Sequence, residues 1–176
     1  MNNVEVITAI KEYENPEKIS CFLGGGITNC DDWQRDVINT IKQSNIDTSS
    51  LILYNPRRPN FPIDDPNASE DQINWEFNYL SDCDIFTMYF CNTKQSDQPI
   101  CFYELGRYVT KKVEEEPDYV DKIIVSVEDG FRRKADVIYQ LRNIDPHIEI
   151  NTMSTPEEHA RRILSKYTKL TKTYNI

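Results

Sequence analysis

The sequence predicts an α/β fold: a single domain whose mostly parallel five-stranded sheet carries helices on both faces. Three observations predict it. Strand-length apolar runs alternate with helix-period segments through five repeats, the pattern of parallel strands joined by helical crossovers. Some runs, such as "DIFTMYFC", are apolar almost throughout, as strands covered on both faces are. A chain of 176 residues with 39% hydrophobic content is large enough for one well-covered core.

In chain order, "KISCFLGG" (18–25) is a strand ending in glycines, and "DDWQRDVINTIKQS" (31–44) is a helix. In that helix Trp33, Val37, Ile38 and Ile41 recur at helical spacing behind an acidic start. "SSLILYNP" (49–56) is a second strand, stopped by Pro56. The proline-rich "RRPNFPIDDPNAS" (57–69) is a long loop of the kind that often carries function. "SEDQINWEFNYLSDC" (69–83) is a helix capped by Ser69 or Asn67, with Ile73, Phe77 and Leu80 on one face, and "DIFTMYFC" (84–91) is the next strand. "QPICFYELGRYV" (98–109) opens a helix with Pro99 in its first turn. Then come a strand in "DKIIVSVED" (121–129), a helix in "FRRKADVIYQLRN" (131–143) and a strand in "HIEINT" (147–152). "TPEEHARRILSKYTKLTK" (155–172) closes the pattern, with Thr155 as cap and Pro156 in first position. Residues 1–18 form either an arm or an edge strand through "VEVITAI", and 19–176 form the domain.

Composition removes several function classes. A formal charge of −9 and a pI near 4.8 give no counterion-release affinity for nucleic acid, so a nucleic-acid polymer is not the expected partner. The longest apolar runs are strand-sized, which argues against a membrane span, and the N-terminus lacks the basic-then-apolar pattern of a secretory signal. Five cysteines without CxxC spacing (21, 30, 83, 91, 101) suggest reduced thiols and a cytoplasmic setting. Two histidines, His147 and His159, make a His-based zinc site improbable, and Cys101 reads as a core thiol rather than a nucleophile.

In this architecture ligands collect at the carboxyl ends of the strands, near the point where strand order reverses. Behind the first strand, Gly24, Gly25 and Gly26 either bring backbone N–H groups up to a sugar or oxyanion or simply turn the chain. After Asn55 at the end of the second strand, Arg57 and Arg58 either hold a phosphate or carboxylate or pair with the acids of "IDDP". Glu76, beside Trp75, sits mid-helix, where spacing alone suggests a solvated face; Asp97 either caps the next helix or faces the site. Glu104 is the most pointed feature. It lies among Ile100, Cys101, Phe102, Tyr103, Leu105, Tyr108 and Val109, and a buried, unpaired carboxylate is costly unless it is working. Near a helix start the dipole should keep it ionised while the aromatic neighbours desolvate it.

"FLGGGI", "NPRR", "QINWEFNYLSDCDIFTMYF" and "PICFYELGRYV", in this order and spacing, resemble the nucleoside 2-deoxyribosyltransferase-like family over roughly residues 19–145. Its hallmark is an ELG segment starting the helix after a central strand. The resemblance implies a flavodoxin-like, doubly wound fold, a homo-oligomer with sites near subunit contacts, and a small-molecule nucleoside or nucleotide as partner. It implies no cofactor and no metal. Glu104 matches the nucleophile and Glu76 the acid that orients or assists it, where better-known members have aspartate. Asp97, displaced by about one residue of spacing, is the nearest match to the aspartate that contacts or protonates the base. Phe22 stands where characterised enzymes have a tyrosine, and the usual C-terminal contribution to a neighbour's site has no match.

The implied chemistry is attack by Glu104 on the anomeric carbon, through an oxocarbenium-like state, to a glycosyl ester that a second base or water then resolves. Asn55, Arg57, Arg58, Trp75 and Tyr103 join the three glycines as expected substrate-binding residues. Two other readings stand beside this one: a non-catalytic nucleotide binder, and a nucleoside 5′-monophosphate N-glycosidase if Arg57 or Arg58 faces the pocket.

Overall fold

The computed structural model describes residues 4–13, 15–62 and 64–174. Its strands are β1 (Glu5–Thr8), β2 (Ile19–Gly25), β3 (Leu51–Asn55), β4 (Ile85–Phe90), β5 (Ile123–Val127) and β6 (Glu149–Asn151). Its helices are α1 (Trp33–Gln43), α2 (Ala68–Asp82), α3 (Pro99–Glu115), α4 (Lys134–Ile144) and α5 (Pro156–Tyr174). The strands form one sheet in the order β1-β3-β2-β4-β5-β6, with every pairing parallel.

The sheet has six strands, not the five expected from the repeats. The sixth is β1, which runs beside β3 from Glu5 opposite Ile52 to Thr8 opposite Asn55. Only Ile7 of β1 is buried, so an edge strand here leaves a weaker apolar signature than β4, in which every residue is buried. Apart from β1, the spatial order is the 2-1-3-4-5 arrangement of flavodoxin-like folds. The order reverses between β2 and β4, so their carboxyl ends open a crevice there.

Two cores sit on the two faces of the sheet. On one, Trp75 and Leu80 of α2, Leu105, Tyr108 and Val109 of α3, and Val137 and Leu141 of α4 pack against Phe22, Phe86 and Phe90. On the other, Trp33, Val37 and Ile41 of α1 meet Ile163, Leu164 and Tyr167 of α5 over Leu23, Leu53 and Tyr89. Helix starts follow their sequence signals unevenly. Asp32 Oδ1 accepts from the Arg35 N–H, and Thr155 and Glu158 exchange side-chain-to-backbone bonds in a capping box. α2 begins after Asn67 with no side-chain cap. A 3-10 segment, Pro117–Lys122, joins α3 to β5, and its Tyr119 hydroxyl donates to the Cys83 carbonyl at 2.6 Å. Among the described residues, no helix is long and apolar enough to cross a membrane.

Candidate active site

Close backbone approach dictates the glycines that end β2. A Cβ on Gly25, whose φ is 152°, would stand 2.3 Å from the Tyr89 carbonyl oxygen and 2.7 Å from Trp33 Cζ2. One on Gly26 would meet Gln98 Oε1 at 2.4 Å and Cys30 Sγ at 2.6 Å. The Gly26 N–H donates to the Tyr89 carbonyl at 3.1 Å, so the end of β2 lies directly against β4.

Gln98 fixes the other wall. It is buried in a left-handed conformation (φ 53°, ψ 54°) just before Pro99, whose ring disfavours a helical residue ahead of it. Its Oε1 accepts from the Cys91 N–H at 3.1 Å and its Nε2 donates to the Cys91 carbonyl at 2.7 Å. The side-chain amide therefore pairs with β4's continuation as a strand backbone would, and sets where α3 begins.

Between these walls lies a pocket of about 300 Å³, at the small end of the range for ligand sites. Gly24 and Gly25 line it from β2 and Gly26 from the turn that follows, along with Phe22; Glu76 reaches it from α2, and Cys101 and Glu104 from α3. Burial, and then the neighbouring Glu76 carboxylate, push the Glu104 carboxyl up to about 8. Burial also raises Glu76, against the pull of the Gln72 amide, which donates to Glu76 Oε1 at 2.7 Å. The expectation that the helix dipole keeps Glu104 ionised is corrected here. Glu104 is in the second turn of α3, whereas the dipole's influence fades beyond the first. Two nearby acids in a poorly hydrated pocket titrate as a pair, so ionising one disfavours ionising the other.

The remaining predicted residues lie around this pocket rather than in its lining. Asp97 pairs with Arg132 and is half-exposed, while its neighbours Ser96 and Gln98 both line the pocket. Arg57 braces the turn after β2. Its Nε donates to Gln34 Oε1 at 2.8 Å, its Nη2 donates to the Asp31 carbonyl at 2.9 Å, and Asp32 stands 3.4 Å away. Arg58 stacks over Phe61 at 5.3 Å, and Asn55 Oδ1 accepts from the Arg57 N–H at 3.0 Å. Trp75 is buried, donates from Nε1 to the Lys11 carbonyl at 2.9 Å, and packs on Phe22 at 5.8 Å between ring centroids, behind the pocket floor. Tyr103 is 61% exposed, and its hydroxyl accepts from Arg107 at 3.3 Å. Gln98, Ser96 and Cys101 line the pocket although the sequence does not mark them for it. Gln98 carried one usable signal: it stands one position beyond Asp97, directly before Pro99.

Among the described residues no group of three or more His, Cys, Asp or Glu is arranged to hold a metal ion. A family model described as "nucleoside 2-deoxyribosyltransferase like" matches residues 18–115, more than half of the chain and all of the pocket lining. No curated protein matches the sequence.

Proposed function

Starting from a chain that belongs to the nucleoside 2-deoxyribosyltransferase-like family, we propose that it cleaves or transfers the N-glycosidic bond of a nucleoside through a glycosyl ester on Glu104. One observation carries the reading. Glu104 enters a pocket at the reversal of strand order, with Glu76 beside it and no cation in the lining.

In the proposed reaction the ionised Glu104 carboxylate attacks the anomeric carbon. The C–N bond breaks, its electrons pass to the base nitrogen, and the sugar becomes an ester. The leaving base needs a proton. Asp97 is turned toward Arg132, so the protonated member of the Glu76–Glu104 pair is the nearer donor; Glu76 holds that proton while Glu104 attacks. Gln98 donates one Nε2 hydrogen to Cys91, which leaves its second hydrogen to orient the base. A second base, or water, then attacks the same carbon and frees Glu104.

The lining favours a neutral nucleoside over a 5′-monophosphate. It contributes two carboxyls and no lysine or arginine, while Arg57 is spent on the turn after β2. The sequestering alternative draws support from Phe22, which lacks a hydroxyl, and from the amide of Gln98 where an acid would protonate a base. A cytoplasmic homo-oligomer remains part of the proposal. Ile73, Phe77 and Ile100 form exposed apolar surface on α2 and α3 beside the pocket, with Arg107 stacked 4.7 Å over Phe77.

Incubation with nucleosides, deoxynucleosides and their 5′-monophosphates, with and without acceptor bases, tests the reading by chromatography of free base. Release from nucleosides, and a 2-fluoro-sugar analogue trapped on the peptide spanning residues 98–109, are the expected results. Recovery of intact ligand and unmodified protein across the panel would establish the sequestering alternative.

A further inference from the structure

The five cysteines, scattered in sequence, sort into two groups in space. Cys21, Cys83 and Cys101 are buried, as is Cys91, and burial pushes each of the first three thiols above its ordinary value. Cys30, in the turn after β2, and Cys91, just past the end of β4, meet instead at Gly26. Cys91 Sγ lies 3.9 Å from the Gly26 carbonyl oxygen, and Cys30 Sγ fills the space a Gly26 Cβ would need. Both cysteines line a second recess of about 300 Å³, with Asn92, Lys94 and Glu128, which shares no lining residue with the Glu104 pocket. That recess gives a small solute access to Cys30, the partly exposed member of the pair.

We propose that Cys30 and Cys91 are a thiol–disulfide switch, closed by hydrogen peroxide and opened by thiol reductants, that staples the turn after β2 to the end of β4 and so controls the pocket.

The two thiols have unequal roles. A hydrogen bond from Cys91, reinforced by the charge of Arg57, lowers the Cys30 thiol against the opposing effect of burial, whereas Cys91 is raised. Cys30 is therefore the attacking thiolate. Its sulfur takes one peroxide oxygen, the O–O bond breaks, and the departing hydroxide is protonated to water. Cys91 sulfur then attacks the Cys30 sulfenic acid. The S–O bond breaks, the Cys91 proton leaves with the hydroxyl as a second water, and a disulfide remains. Two thiols lose two electrons and one peroxide gains them.

A disulfide holds its sulfurs about 2.05 Å apart, well inside van der Waals contact, so closure pulls the turn toward β4. Arg57 grips the same turn at the Asp31 carbonyl, and Gly26, Ile27 and Thr28 of that turn form one wall of the Glu104 pocket. Trp33 reports the movement, because its Nε1 donates to the Gly26 carbonyl at 2.8 Å.

Titrating the reduced protein with hydrogen peroxide, then alkylating and digesting it, tests the switch without reference to activity. The expected product is about 2 Da lighter and yields one linked peptide pair joining Cys30 to Cys91, while Cys21, Cys83 and Cys101 remain alkylated. Trp33 fluorescence should change with the same dose dependence, recover on adding dithiothreitol, and stay constant in Cys30→Ser and Cys91→Ser. Conversion of Cys30 to a sulfinic acid with Cys91 still alkylatable, or linkage through any other cysteine, would overturn the proposal. The control of the pocket rests on the N-glycosidic reading: turnover should fall about tenfold on oxidation and return on reduction. A clean Cys30–Cys91 bridge with unchanged turnover would overturn that control alone. If no turnover is found at all, the mass and fluorescence measurements still decide the bridge.

Discussion

The two faces of the sheet each bury an ionisable group, and they treat it in opposite ways. On the α1–α5 face His159 is fully enclosed. Its Nδ1 shares a 2.7 Å hydrogen bond with Ser126 Oγ, its ring lies edge-on to Trp33 and Tyr89, and burial lowers its pKa to about 3. On the α2–α3 face Glu104 is also removed from water, but into a pocket that opens outward, where burial and Glu76 raise it to about 8. A sealed group that simply loses its charge is packing. A group poised near neutrality with room for a ligand before it is equipped for chemistry.

Replacing Glu104 gives the largest expected effect. Glu104→Gln keeps the shape and should lower N-glycosidic turnover by about 10³ or more while leaving the fold intact. Its stability should diverge from wild type with pH. Glu104 is raised on folding, so its contribution is fully present below about 4.3 and is lost as pH rises through 8. The variant should therefore match wild type near pH 4 and gain on the order of 2 kcal/mol at pH 9, read from denaturant midpoints. Equal stability of the two at every pH would remove the contrast between the faces.

His159 should respond in the opposite sense. Its pKa is lowered on folding, so its stability contribution is present above about 6.5 and is lost as pH falls from there toward 3. His159→Leu should flatten that acid limb in thermal unfolding and cost about 1–3 kcal/mol at neutral pH, because Ser126 loses its partner. A smaller effect is expected at Gln98. Gln98→Ala removes both bonds to Cys91 and should cost about 1–2 kcal/mol and raise KM severalfold, and Gln98→Gly should recover part of the stability by relaxing the left-handed backbone. Smallest of all, Tyr103→Ser should shift stability by less than about 0.5 kcal/mol and turnover by less than about twofold, because the ring faces solvent. A larger loss of turnover would return Tyr103 to the site.

Legibility followed the range of the interaction involved. Helix and strand patterns, the Thr155–Glu158 capping box and the apolar surroundings of Glu104 are local, and the sequence carries them openly. Glu76 was less legible. Its position on α2 reads as a solvated face, and only the packing of α2 beside α3 turns it into the Glu104 pocket. The role of Arg57 as a brace for the turn after β2 depends on chain segments far apart in sequence, which no spacing rule connects. Gln98 shows the cost of a one-residue displacement. Asp97 is the acid nearest the expected spacing, yet the left-handed turn before Pro99 sends Gln98 inward and leaves Asp97 to Arg132.

The brevity of the outermost strands bears on how this protein behaves when crowded. β1 has four residues and β6 three, and each carries a glutamate engaged by its own chain: Glu5 by Lys18 and Tyr13, Glu149 by Arg162 and Lys166. A foreign strand seeking to extend the sheet would find few backbone groups to pair with and an acidic side chain already committed nearby. Fibril-like growth through either margin is thereby disfavoured, even though β2, β4 and β5 are the kind of uninterrupted apolar strand that templates it.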